Sequence, residues 1–220
     1  MRTIRTTLFI LVLFACGSAF SQNTKHTVSS AKIAYKITSV SDKNIASKPL
    51  EYILYIKKDM SRVEMQSDKG TTVMISDNLA NTGYLLMENS GNKMAMKMNR
   101  DAMMKKNGVA TEPKVQITRE SKVIAGYTCY KAIITSNYKD DTKVYDVWFT
   151  NDIKGDYSYD TKINGLNGLM MEFESAQDGK SYKMVATKVD LEDNLSDDLF
   201  KVPADYQIMD MSNFMGVPKE

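Results

Sequence analysis

Apolar and polar residues alternate along this chain with a period of two, in short runs separated by turn residues. Ile33, Tyr35 and Ile37 alternate with Ala34, Lys36 and Thr38, which predicts a half-buried strand. Residues 50–57 are apolar on both faces, which predicts a strand placed centrally in a sheet. A meander follows. Residues 61–66 and 71–76 flank Asp68-Lys69-Gly70, and residues 82–88 follow a turn at 78–81. Residues 93–98 follow the turn Asn89-Ser90-Gly91-Asn92. Turn signals at about ten-residue spacing predict antiparallel hairpins.

Asn99 and Asp101 are caps for a short helix built on Ala102, Met103, Met104, Lys105 and Lys106, ended by Asn107-Gly108. Residues 114–119 and 121–125 read as two short strands, and Gly126 separates the second from a strand at 127–136. Residues 143–150 form the next strand, and 153–164 are irregular and rich in tyrosine. Residues 169–175 and 181–190 flank Gln177-Asp178-Gly179-Lys180, where Asp-Gly marks a hairpin. Ser196 caps one helical turn at 197–200, which Pro203 keeps short. Residues 206–211 read as a last edge strand. The sum is a mainly β domain, one antiparallel sheet with one or two short helices. A sheet of that size must bury a face, and the chain is short of helices to cover it. Closure into a barrel, or curvature into a half-barrel around an apolar hollow, satisfies that need, and such hollows take small ligands.

The first residues change the picture of compartment. Arg2 and Arg5 precede an unbroken apolar run at 8–15, the layout of a secretory signal and too short to span a bilayer. Ala19 and Ser21 suit cleavage that leaves Gln22 first, giving a signal peptide at 1–21 and a single β domain at 22–220. The alternative exit is Leu13-Phe14-Ala15-Cys16, a lipobox-like run that would leave a lipid-anchored Cys16. Beyond residue 21 the chain carries 27 basic and 27 acidic residues. A balanced chain has no bulk field to draw in nucleic acid or an anionic membrane. No second long apolar run is present, so no transmembrane segment is expected.

Candidate chemistry is sparse. The single histidine, His26, lies in the polar stretch before the first strand, which argues against histidine-based catalysis and ordinary zinc ligation. Cys129 sits in a strand and reads as a buried, inert thiol. Asp140-Asp141 and Asp197-Asp198 fall at a turn and a helix start, where aspartate is favoured for local reasons. No catalytic residue is expected, and no cofactor.

The unusual residue is methionine, 16 in all. Met94, Met96 and Met98 share one face of a strand, and Met103 and Met104 follow at once. Three roles remain open: core packing, an adaptable lining for a lipid-like ligand, and a Cu(I) site of thioethers at Met94, Met96 and Met98. Leu85, Met87, Met94, Met96, Met98, Met103 and Trp148 form the candidate ligand lining. The alternatives are the Cu(I) protein and a structural or partner-binding envelope component without a small ligand.

Three motifs carry a resemblance: Ile124-Ala-Gly-Tyr-Thr-Cys-Tyr-Lys-Ala132, Val147-Trp-Phe-Thr150 and Ile163-Asn-Gly-Leu-Asn-Gly-Leu-Met170. With the closing Leu199-Phe-Lys-Val-Pro-Ala-Asp-Tyr206, they follow an order that resembles secreted Bacteroidetes proteins of the GLPGLI family and a related domain of unknown function. Asn167 and Met170 depart from the GLPGLI signature and favour the related domain. The family resembles LolA-type lipoprotein carriers. This implies a curved antiparallel half-barrel in a Gram-negative periplasm, with a lipid or lipoprotein acyl chain as its possible partner. It implies no enzymatic activity.

Overall fold

A computed structural model describes residues 30–39, 51–67, 70–89, 91–99, 113–137, 141–153, 163, 165–177, 180–191 and 194–211. Twelve strands fill most of this: β1 Ser30–Ser39, β2 Glu51–Lys57, β3 Met60–Ser67, β4 Gly70–Asp77, β5 Thr82–Asn89, β6 Asn92–Asn99, β7 Lys114–Ile124, β8 Tyr127–Asn137, β9 Thr142–Thr150, β10 Leu169–Gln177, β11 Lys180–Leu191 and β12 Gln207–Asp210. They form one open, curved sheet in the order β12-β6-β5-β4-β3-β2-β1-β11-β10-β9-β8-β7.

From β1 to β6 the strands lie side by side in chain order, each pair antiparallel. Asn81 takes a positive φ of 54° in the turn between β4 and β5, and Gly91 takes 83° in the turn between β5 and β6. β2, expected to be central, lies between β1 and β3 inside the sheet. The two short strands expected at 114–119 and 121–125 are one strand, β7, whose register against β8 shifts between Ile117 and Ser121. A bulge there bends the strand without ending it. Ser196 accepts from the Asp198 N–H and caps a 3-10 turn at Asp197–Phe200, the helical turn expected there. The helix expected at 99–108 lies, but for Asn99, outside the described residues. So do the signal peptide and Cys16.

One pairing departs from the antiparallel expectation. β12 runs parallel to β6. After β11, in the middle of the sheet, the chain crosses one face to reach the β6 edge, and such a crossover permits parallel entry where a tight hairpin does not.

Two apolar clusters hold the fold. The larger gathers Ala31, Ile33, Tyr35 and Ile37 of β1, Tyr52, Leu54 and Ile56 of β2, and buried residues of β8 to β11 such as Ala132, Ile134, Val147, Phe149, Phe173 and Met184. Tyr35 lies at its centre, edge-on to Tyr52 and Phe173, and its hydroxyl donates to the Met170 carbonyl at 2.9 Å. The smaller lies on the opposite face of β4 to β6, where Val73, Ile75, Leu86 and Ala95 pack against Leu195 and Phe200 of the crossing segment. That segment is anchored to the same face. Lys57 donates to the Leu195 carbonyl and the Asp197 carboxylate, Arg62 to the Leu199 carbonyl at 3.1 Å, and Lys93 to Asp205 at 2.7 Å.

Candidate functional site

Register, more than any single strand, builds the candidate site. Cross-strand partners project to the same face of a sheet. Val189, Ile33, Leu54, Val63, Met74, Leu85, Met96 and Met209 are successive partners across eight strands, from β11 to β12. They form an unbroken apolar row on the face that carries the larger cluster. Beside it Tyr52 pairs with Met65, and Met87 with Met94. On its other side Ser61, Ser76, Gly83 and Met98 are successive partners, and all but Met98 are too small to rise far above the sheet.

Burial changes along the row. Ile33 and Leu54 are closed within the core, at 0% and 4% exposure. Val63, Met74, Leu85, Met96 and Met209 are half-buried, and Met87 is exposed. The row therefore leaves a filled core at β1 and β2 and becomes an accessible methionine surface at β3 to β6 and β12. The other side of β4 to β6 is already filled by the crossing segment. Strands apolar on both faces thus serve the core with one face and offer the other.

Five of the expected lining residues, Leu85, Met87, Met94, Met96 and Met98, share this face. Met103 lies outside the described residues. Trp148 does not join them. Glu172, its partner on β10, precedes Phe173, which pairs with Met184 on the row's face, so Trp148 and Glu172 project to the opposite face. Val63, Met65, Met74 and Met209 belong to the surface and were not anticipated. Met74 follows from the turn at 78–81, which sets it across from Leu85; Met209 needed the parallel pairing.

Around Trp148 the chemistry is ionic. The Lys122 ammonium sits 4.0 Å from the centre of the indole ring and 2.5 Å from a Glu172 carboxylate oxygen. Lys183 reaches the other Glu172 oxygen at 2.6 Å. Burial pushes the Glu172 carboxyl up, but its bonds to Lys122 and Lys183 and their charges outweigh this and hold it below the usual carboxylate range. A recess of about 410 Å³ opens beside this group, lined by Val144, Tyr145, Asp146, Trp148, Glu172, Phe173, Glu174 and Lys183.

Cys129 is fully buried, and burial pushes its thiol up to about 11. A thiol so protonated is a poor nucleophile. Among the described residues no group of three or more His, Cys, Asp or Glu is arranged to hold a metal ion. No described helix is long and apolar enough to cross a membrane.

Fold and face together define the class, an open curved β-sheet protein with an accessible apolar face. Within that class the chain belongs to the family described as a domain of unknown function, DUF4412, whose profile matches residues 39–165. None of the curated proteins matches the sequence. Among solved structures, PNGF-II is similar with a TM-score of 0.50 at 21% identity over 83% of this chain and 31% of its own. That likeness shows a shared fold, and this chain spans about a third of the length of PNGF-II. The lipoprotein LppX of Mycobacterium tuberculosis aligns with a TM-score of 0.40 at 11% identity, covering 76% of this chain and 89% of its own. LprF from Mycobacterium bovis aligns with a TM-score of 0.31 at 9% identity, covering 74% and 85%.

Proposed function

We propose that this protein is a non-enzymatic binding protein of a Gram-negative envelope, holding a lipid acyl chain against the methionine end of its apolar row. The observation that carries the reading is the run Val63–Met74–Leu85–Met96–Met209, half-buried and continuous with the core. Five strands about 4.8 Å apart span roughly 19 Å, a length suited to a long acyl chain. Thioethers conform to varied tails, which suits a carrier of mixed lipids. The signal-like residues 1–21 support export, and the motif order that resembles GLPGLI-related proteins, a family similar in fold to LolA-type carriers, supports the same compartment and role.

Native mass spectrometry of protein purified from its own envelope should reveal a bound lipid. A dansyl-labelled fatty acid should bind the delipidated protein, and Met96→Glu or Leu85→Glu should weaken it at least tenfold by placing a charge in the row. Equal affinity in the folded variants would refute the reading.

A second reading rests on thioether proximity. Met87 pairs with Met94 and Met96 with Met209, so four sulfur side chains occupy neighbouring positions on one face. Such a set suits Cu(I). Anaerobic Cu(I) titration decides it: replacing Met94, Met96 and Met98 with Leu should abolish tight binding, and unchanged affinity would end this reading.

A further inference from the structure

β9 and β10 are joined at three paired positions: Thr150 with Leu169, Phe149 with Met170 and Trp148 with Glu172. Beyond Trp148 and Glu172 their ladder stops. Tyr145, Asp146 and Val147 stay paired to β8, and Phe173 and Glu174 to β11, but neither set pairs with the other. Two interior strands thus diverge, each with one main-chain edge turned toward the gap. The recess of about 410 Å³ lies in this fork. Tyr145 and Phe173 line it although their side chains belong to the opposite face, so the opening reaches the strand edges themselves.

We propose that the fork binds an extended peptide segment of a partner protein, which lies between β9 and β10, completes the interrupted ladder and presents a lysine or arginine to Glu174. An unpaired strand edge is a template for another strand, and here two such edges face one gap. The lining sets the charge of the occupant. Asp146, Glu172 and Glu174 stand against Lys183. Lys122 and Lys183 hold Glu172, and Lys131 holds Asp146 at 2.9 Å. Among the described residues no cation makes an ion pair with Glu174, which is exposed at the rim: Lys183, across from it on β11, is turned to Glu172. Val144, 63% exposed, offers apolar surface for the stem of an incoming basic side chain. The fork lies on the face opposite the methionine row and does not depend on the lipid reading.

Trp148 is the sole tryptophan and lines the recess, so its emission reports occupancy. The probes are two libraries of acetylated hexapeptides, one with Lys fixed at the centre and one with Asp. The Lys library should give a saturable shift in Trp148 emission and the Asp library none. The best Lys peptide should weaken at least tenfold when its backbone is N-methylated, and at least tenfold against Glu174→Lys. No saturable shift with the Lys library, or equal binding of the N-methylated peptide, overturns the proposal. Hydrogen exchange tests the fork without ligand. Amides of residues 145–147 that face away from β8 should exchange fast in the free protein; protection comparable to the β8–β9 ladder would mean a closed fork and end the idea.

Discussion

Replacing Gly168 with alanine tests whether the short joint between β9 and β10 holds the sheet together. Gly168 precedes β10 with a φ of +153°, a conformation that residues with a Cβ avoid. A Cβ placed there would lie 3.0 Å from the carbonyl carbon of Thr150, nearer still to its oxygen, and 3.2 Å from a ring carbon of Phe149. Carbon atoms at rest sit about 3.5–4.0 Å apart, so the backbones must part by about 1 Å. Thr150 and Phe149 supply two of the three pairs that join β9 to β10, so the ladder there cannot yield without loss. Backbone strain costs about 1–3 kcal/mol, and two weakened ladder bonds about 1 kcal/mol each. The sum is about 3–5 kcal/mol. In urea, with a slope of about 2 kcal/mol/M, the midpoint should fall by about 1.5–2.5 M. Trp148 fluorescence follows the transition at the joint itself. The control is Gly165→Ala, whose φ is also positive, at +89°, but whose Cβ would meet only Val115 at an ordinary 3.6 Å. It should lose about 1–2 kcal/mol. If Gly168→Ala costs no more than Gly165→Ala, the joint is not tight and the reasoning fails.

Tyr35→Phe should cost about 1–2 kcal/mol by leaving the Met170 carbonyl without its donor, measured by the same urea titration. Burial, with a smaller contribution from Tyr52, holds the Tyr35 hydroxyl's pKa well above its ordinary value of 10.0. The unfolded chain therefore releases this proton first, and the wild type should lose stability as pH rises above about 10, with a shallower fall in Tyr35→Phe. Lys122→Met removes an ion pair and a cation–π contact and should cost about 1 kcal/mol at pH 7. Because Glu172 is held below its ordinary value, its contribution is present above about pH 4–5 and lost as pH falls, so the acid side of the stability profile should flatten in this variant. Cys129 should resist iodoacetamide at pH 8 in the native protein and react once urea unfolds it, as peptide mass mapping will show; fast native labelling would contradict its burial.

Strand positions were legible in the sequence because a half-buried strand must alternate and a tight hairpin must use residues that tolerate its turn. Ile33, Tyr35 and Ile37 announce β1, and Ser196 announces the 3-10 turn, for reasons confined to a few neighbouring residues. The shared face of Met94, Met96 and Met98 follows from parity alone. What parity cannot say is which face of one strand meets which face of another. Met74 and Met209 join Leu85 and Met96 only through register, and Met209 only because the chain crosses the sheet and enters parallel to β6. Trp148 falls on the far face because its partner Glu172 lies one residue from Phe173, which joins the row's face through Met184. The single strand β7, with Ile117 and Ser121 across a register shift, looked broken because a bulge interrupts its alternation. The fork between β9 and β10 left no local trace. Local chemistry therefore determined the elements and their inward sides. Long-range pairing alone decided which side chains became neighbours, since those contacts join residues far apart in the chain.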